Sequence, residues 1–307
     1  MALRRSELIQ HKLGFWTVAQ KPSPAELQEY YATKYFQDGL GSYESSYTDA
    51  EKSYFFAKIE QRHAVLRQIV PNASSMLDVG CGEGFALSYF KKQGWQVKGF
   101  DFSQAGLKAQ NPDCLEALCV GDVFALLDAE VISGRKYDVI WIQNVLEHVL
   151  EPLGLLASLH SIVSDGGVVL VTVPNDVTFL QKEALLRGHI DHEFWVATPD
   201  HISYFNHITL PAAAAAAGWK CMELLGDFPI DWFLFHNGSN YIKNSAMGKS
   251  AHNARVTLEN LFHKTEGNRM LAFWSAAGSV GIGRDITAFL QNSSRAQTQQ
   301  SESPLAK

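Results

Sequence analysis

The sequence predicts an α/β fold built on a mostly parallel sheet with helices on both faces. Three observations carry this. Between residues 74 and 174, short runs rich in β-branched and aromatic residues alternate with segments in helical spacing. Helical segments stop at glycines or before a proline, which gives each unit a defined end. The first strand also passes into the helix after it through a glycine-rich turn, Leu77-Asp78-Val79-Gly80-Cys81-Gly82-Glu83-Gly84. Strand, turn and helix in that rhythm build parallel sheets, because neighbouring parallel strands need a crossover of roughly a dozen residues, usually a helix.

Taken in order, residues 1–70 read as mostly helical. Ser23 is placed to cap a helix that starts at Pro24, where a missing N–H costs nothing. Residues 39–49 form a loop by their glycines and serines. Phe55, Ile59, Val65, Leu66 and Ile69 fit a helix that ends before Pro71. A strand over 74–80, a helix over 85–93 stopped by Gly94, a strand over 95–101 and a helix over 103–110 follow. A short strand spans 118–122 and a buried one 137–143. A helix over 152–164, closed by Asp165-Gly166-Gly167, leads to a strand over 168–174. The rhythm then breaks. A helix over 210–217 ends at Gly218, and a strand covers 219–228. A polar and aromatic region with a helix at 251–264 occupies 229–279, before a final alternating strand over 283–291. Residues 292–307 are rich in Ser and Gln and are expected to be disordered.

Composition narrows the function classes. The 307 residues are 46% hydrophobic and 19% charged, enough apolar material for a large core. The net charge of −6 lacks the basic excess of a duplex-binding protein, so no nucleic-acid partner is expected. The four cysteines, Cys81, Cys114, Cys119 and Cys221, form no CxxC pair, which disfavours a thiolate zinc site and suits a reducing compartment. The N-terminus has no apolar run of the signal-peptide kind, and no segment is apolar enough to span a bilayer. A cytoplasmic location without membrane attachment is the expectation.

The turn from Asp78 to Gly84 carries most of the chemistry. Glycine lets a backbone turn sharply and approach a ligand closely. A dinucleotide-binding turn spaces its glycines G-x-G-x-x-G; here the third arrives one position early, and Glu83 would repel a pyrophosphate. A ligand with a cationic end suits the turn better. Asp101 ends the next strand, where a carboxylate can accept both hydroxyls of a ribose. Asp122 follows the short strand after that and can accept from an exocyclic amine. Acids and a glycine turn at successive strand ends form one ligand crevice in an open α/β sheet.

Asp78-x-Gly80-x-Gly82-x-Gly84, followed by Asp101 and Gly121-Asp122, resembles the class I S-adenosylmethionine-dependent methyltransferases over residues 71–228. The resemblance implies a Rossmann-like, seven-stranded sheet. A helical cap over 1–70 would precede the core over 71–228, an insert over 229–279 would cover the acceptor site, 280–291 would be a final core strand, and 292–307 a tail. It implies S-adenosylmethionine as cofactor. Gly80, Cys81, Gly82 and Gly84 would line its methionine part, with Asp78 organising the ammonium group. Asp101 would hold the ribose, Phe102 flank the adenine, and Asp122 and Val123 contact the adenine edge. Gln143 and Asn144 would lie under the methionine part.

Leu146-Glu147-His148-Val149 resembles a subgroup that holds ubiquinone-type O-methyltransferases and many small-molecule and sugar methyltransferases. Some relatives bind a divalent metal through E-x-x-E-H; the first position here is Asn144, so no metal is expected, and Asn144 fits a helix cap instead. His148 either faces the acceptor or packs at a helix start. The stretch from His189 to His207 holds four of the eleven histidines. It follows the strand over 168–174, where such enzymes border the acceptor. An acceptor hydroxyl needs a base, and imidazole titrates in the useful range. His201 is the best-placed candidate by resemblance, with His148 and His192 behind it. His189, Asp191 and His192 could hold a metal only with ligands the stretch does not supply. Tyr43, Tyr47, Tyr204 and Trp232 are candidate acceptor contacts, since aromatic and amide surfaces suit a sugar ring, though they equally suit helix packing or a homodimer contact.

The expected activity is methyl transfer to oxygen or nitrogen of a small polar acceptor such as a sugar, nucleotide-sugar or glycan precursor, which would place the chain in polysaccharide biosynthesis. The alternatives are methylation of a tRNA or protein, and a non-catalytic cofactor-binding role in assembly or regulation.

Overall fold

The computed structural model describes residues 7–23, 25–27, 29–30, 46–266 and 268–293. The chain opens with two short strands, β1 (Leu8–Gln10) and β2 (Trp16–Val18), paired as an antiparallel hairpin. Helix α1 (Asp49–Ile69) leads into the core. There β3 (Ser75–Val79), α2 (Phe85–Lys92), β4 (Gln96–Asp101), α3 (Ala105–Gln110), β5 (Leu118–Val120), α4 (Val123–Ser133) and β6 (Tyr137–Gln143) alternate. Then come α5 (Pro152–Ser158), β7 (Val163–Pro174), α6 (Phe179–Leu186), β8 (Ser203–Tyr204), α7 (Thr209–Ala216) and β9 (Trp219–Leu225). Helices α8 (Gly248–Glu266) and α9 (Asn268–Ser279) precede the last strand, β10 (Asp285–Asn292).

Seven strands form the main sheet in the order β5-β4-β3-β6-β7-β10-β9. The pairs from β5 to β7 are parallel, and β10 runs antiparallel to both β7 and β9. This is the α/β architecture expected. Val168 to Val171 and Val173 are fully buried, as a central strand covered by helices on both faces requires. The one polar residue among them, Thr172, shares a 2.9 Å hydroxyl hydrogen bond with Thr287 of β10, so its burial leaves no oxygen unpaired. Strand order reverses between β3 and β6, and an open sheet parts its loops at that point to leave a crevice beyond the strand ends.

Several elements differ from the sequence reading. Residues 7–23 are not helical: β1 and β2 form a small sheet with β8, and Trp16 pairs with Tyr204. Three-residue strands carry almost no periodicity, and this pairing joins segments far apart in sequence. Helix α1 lies where expected, and Thr48 with Glu51 closes a reciprocal capping box at its start. Ser23 and Glu26 make the same reciprocal bonds at 2.7 and 3.2 Å. Helix α4, unread in the sequence, is capped by Asp122 and ends at left-handed Gly134. Strand β7 starts five residues earlier than predicted. Gly166 and Gly167 lie inside it, and a Cβ on Gly167 would come 2.8 Å from the Asp138 carbonyl. Helices α6 and α9 were also unread. Tyr31, Tyr35, Tyr43 and the tail from 294 onward lie outside the described residues. Among the described residues, no helix is long and apolar enough to cross a membrane.

Candidate active-site cleft

A cavity of about 970 Å³ opens beyond the ends of β3, β4 and β6, at the reversal of strand order. The glycine turn forms one wall. Gly80, Gly82 and Gly84 all have positive φ, at 75°, 52° and 74°. A Cβ on Gly80 would come 2.5 Å from Val145 Cγ2, and one on Gly84 1.8 Å from Leu107 Cδ1. Both positions therefore exclude side chains by conformation and by space. The N–H groups of Gly80 and Cys81 donate to the Phe100 carbonyl, at 2.8 and 2.9 Å, which fastens the turn to β4.

Asp101 closes that strand. It accepts the Gly82 N–H on Oδ2 (2.8 Å) and the Ser103 N–H on Oδ1 (2.9 Å), so its orientation is fixed. Asp78 is 3% exposed. Burial, and secondarily the charge of Asp101, push its carboxyl up to about 8. Burial raises Asp101 too, against the backbone donors that lower it. Two buried carboxyls without a cation between them form a site that favours a cationic ligand. Asp122 and Val123 line the cavity further along, and Asp122 Oδ1 also accepts the Ala125 N–H as the cap of α4. Phe102 lines the same wall.

Gln143 lines the cavity, and its amide oxygen accepts from Arg62 Nη1 at 2.8 Å. Arg62 was not anticipated. It stands on α1, 5% exposed, 5.6 Å from the Trp141 ring centre, and forms no ion pair among the described residues. Burial depresses its guanidinium, against the pull of Asp285 and Asp227. Its only sequence signal was a charged residue on the buried face of a helix. Asn144 lines the cavity but caps no helix. Its backbone is left-handed (φ 54°), its N–H donates to Thr172 O, and the short 3-10 turn that follows begins at Leu146.

That turn carries Glu147 and His148 to the far side of the cleft, where His201 meets them. The loop is held in place by a chain of backbone bonds. Ile202 N–H donates to Glu147 O (2.8 Å), while Val18 N–H and Thr17 Oγ1 of the N-terminal hairpin donate to Ile202 O, both at 3.0 Å. The His148 and His201 rings meet edge to face, 4.8 Å between centres. His148 Nδ1 donates to the Asp200 carbonyl at 2.7 Å. A carbonyl can only accept, so Nδ1 carries a proton, and in the neutral ring Nε2 is the nitrogen with the lone pair. Glu147 Oε1 lies 3.8 Å from that Nε2. Glu147 is 1% exposed, and neither of its side-chain oxygens has a hydrogen-bond partner among the described residues. Burial raises its carboxyl well above the usual range, and the charges of Asp176, Asp285 and Asp200 add to this. Glu147, His148 and His201 each offer one ligand atom, all within 4.8 Å of one another, so a divalent cation could be held here. It is a different set from His189, Asp191 and His192.

The other predicted residues fall outside the cleft. His192 is exposed and pairs with its neighbour Asp191 (2.6 Å). His189 packs on Phe235, and His207 packs against Gly281. Tyr204 is buried in the small sheet, with its hydroxyl donating to His201 O at 2.9 Å. It positions the loop and does not line the cavity. Trp232 is half exposed and not part of the lining. Tyr47 donates to Glu83 at 2.9 Å, against the glycine turn, and packs on Phe55 and Phe85. Tyr43 lies outside the described residues.

Residues 51–224 match the model of a methyltransferase-domain family, more than half of the chain. Ubiquinone biosynthesis O-methyltransferase of Burkholderia vietnamiensis is 35% identical over 102 residues, covering 32% of this chain and 44% of that protein. The Paraburkholderia phytofirmans protein of the same name is 32% identical over 156 residues, covering 50% of this chain and 67% of that one. The match thus spans less than half the length of the first of these relatives. A crystal structure of a SAM-dependent methyltransferase from Archaeoglobus fulgidus is 18% identical, with a TM-score of 0.46, covering 76% of this chain and 93% of that one. The chain belongs to the methyltransferase-domain family.

Proposed function

We propose that this methyltransferase-family chain binds S-adenosylmethionine beyond the ends of β3, β4 and β6. We propose further that its methyl group passes to an oxygen of a small acceptor entering from the Glu147–His148–His201 side. One observation carries the reading: a single cavity joins the glycine turn and Asp101 to that cluster. The names of the relatives, ubiquinone biosynthesis O-methyltransferases, favour oxygen as the atom methylated. A sugar acceptor has less support. The aromatic insert that suggested it, around Trp232, does not line the cavity.

The cofactor supplies a methyl group on a cationic sulfur. Asp78 and Asp101 favour that cation and the nearby ammonium, and Asp101 also accepts from the ribose hydroxyls. Arg62 pairs with the methionine carboxylate, which gives its buried guanidinium the anion it lacks. The acceptor oxygen attacks the methyl carbon in line. The carbon–sulfur bond breaks with its electron pair left on sulfur, and the hydroxyl proton passes to His148 Nε2. His148 holds this role ahead of His201 because its tautomer is fixed. Glu147, once ionised, stabilises the resulting imidazolium. A divalent cation held by Glu147, His148 and His201 would serve the same end by acidifying the acceptor hydroxyl. The segment 229–279 acts as a cap on the acceptor side, since Arg255 of α8 reaches the cavity.

Isothermal titration with S-adenosylmethionine and S-adenosylhomocysteine tests the core of the proposal. Saturable one-to-one binding that Asp101→Ala weakens is expected. Absence of binding by the intact chain would sink it.

A further inference from the structure

Two arginines line the cavity, and the cofactor's single carboxylate accounts for one. Arg62 stands beside Gln143, next to the proposed methionine site. Arg255 stands on α8 and also lines the cavity. Its Nη2 meets His252 Nδ1 at 2.8 Å, and its guanidinium lies 5.5 Å from the centre of the Tyr54 ring. It forms no ion pair among the described residues, and its Nε is buried without a hydrogen-bond partner. The neighbouring cation is already neutralised: Lys58 Nζ lies 2.8 Å from Asp227 and 3.6 Å from Asp285. Arg255 is thus a cavity-lining charge held in place by a ring and an imidazole; Tyr54, Asp227, Asp285 and Glu259 offset its burial without an ion pair, and its Nε has donor capacity left over.

We propose that Arg255, backed by Tyr54, is a subsite for an acidic group on the acceptor, a carboxylate or a phosphate. A planar guanidinium offers two parallel N–H groups to either anion, and withdrawal from water strengthens the pair. A neutral hydroxyl can accept one of these N–H groups but brings no charge, so the subsite favours an anion over it. Glu259 adds to the effect. It is 1% exposed, burial pushes its carboxyl up to about 7, and an anion at Arg255 favours its neutral form further. The acceptor is then an anionic small molecule whose hydroxyl meets His148 while its acidic group meets Arg255. This rests on the acceptor side proposed above.

The test uses the full chain saturated with S-adenosylhomocysteine. Binding of 3,4-dihydroxybenzoate and of phenyl phosphate is measured by calorimetry, with catechol as the neutral reference. Wild type should prefer at least one anion over catechol by about tenfold or more, and the phosphate and carboxylate arms tell the two sources apart. Arg255→Gln should abolish the preference and leave affinity for S-adenosylhomocysteine unchanged, and Arg255→Lys should restore part of it. Failure of any anion to bind better than catechol overturns the subsite, as does a preference that survives in Arg255→Gln. Loss of S-adenosylhomocysteine binding in Arg255→Gln overturns it too, since Arg255 would then serve the cofactor. A wild-type chain that binds the anions but not S-adenosylhomocysteine would instead refute the methyltransferase reading and leave the anion site standing.

Discussion

Arg62→Met separates a ligand-binding charge from a structural one. The side chain is 5% exposed and has no ion pair among the described residues, so the folded protein carries the cost of a buried cation without the usual return. Methionine keeps most of the stem and removes the charge. What is lost in the free protein is the 2.8 Å hydrogen bond to Gln143, about 1 kcal/mol, and the contact with the Trp141 ring, of similar size. Relief from desolvation offsets both. The free variant should therefore stay within about 1–2 kcal/mol of wild type by urea denaturation. Binding should change far more. A charge-assisted bond to the methionine carboxylate contributes about 1.5–3 kcal/mol, so the dissociation constant for S-adenosylhomocysteine should rise about 10- to 150-fold. Linkage makes this visible as stability. Ligand at 100 times the wild-type dissociation constant stabilises wild type by about 2.7 kcal/mol, and a 30-fold weaker variant by about 0.9 kcal/mol. Equal affinity in calorimetry, or equal stabilisation by the ligand, would refute the assignment. So would loss of the free fold with unaltered binding by the molecules that remain folded.

Asp78 gives a pH signature. Its carboxyl is raised to about 8 in the folded chain and titrates near 4 when unfolded. Its contribution to free-protein stability is therefore fully present below about pH 4 and is lost as pH rises toward 8. The cationic cofactor favours the ionised form, so binding should release a proton below pH 8 and tighten as pH rises. Asp78→Asn should flatten both trends, and calorimetry in buffers of different ionisation enthalpy reads the proton directly. Gly84→Ala should cost about 2–4 kcal/mol in urea denaturation, because φ is 74° and the new Cβ would come 1.8 Å from Leu107 Cδ1; a cost under about 1 kcal/mol would mean the turn rearranges freely. His148→Gln should lower turnover of an accepted substrate, read as S-adenosylhomocysteine release, by about 10²- to 10⁴-fold with cofactor affinity unchanged. His192→Gln should leave turnover as it is, and a comparable loss there would contradict its place on the surface.

The proposed cofactor half of the cleft was legible because it is local. Asp78 to Gly84 is one turn, Asp101 ends the neighbouring strand and Asp122 follows the strand beyond that, so spacing alone brought them to one wall. The acceptor half was not. Glu147 and His201 are 54 positions apart and meet only because Ile202 bonds to the Glu147 carbonyl while β2 pairs with β8. No periodicity encodes that. The density of histidines between 189 and 207 pointed to the loop, and the resemblance put His201 first in it; composition alone could not exclude His192, which carries the same imidazole and is exposed. Tyr204 and Trp232 were chosen for their chemistry, and burial in one case and exposure in the other remove them from the cavity. Arg62 and Arg255 were invisible for the opposite reason. On helices α1 and α8, a lone arginine reads as a solvated face until packing shows where the face points.

Burial on the two sides of the cleft acts in one direction. Asp78, Asp101 and Glu147 are carboxyls whose ionisation is opposed by the surrounding core. A fold that only needed stability would place apolar side chains there, since buried ionisable groups are rarely the cheaper choice. What these positions share is a cavity wall, and what each lacks is a cation. In the proposed complex a cationic sulfonium and ammonium would answer the first two, while a protonated imidazole or a divalent ion would answer the third. The arginines complete the converse. Arg62 and Arg255 are cavity-lining cations that form no direct ion pair among the described residues, and the proposed methionine carboxylate and acceptor anion would supply one to each. The charge pattern of the free cleft is then the complement of its two ligands. This explains why so many ionisable groups sit in it with their preferred partners missing.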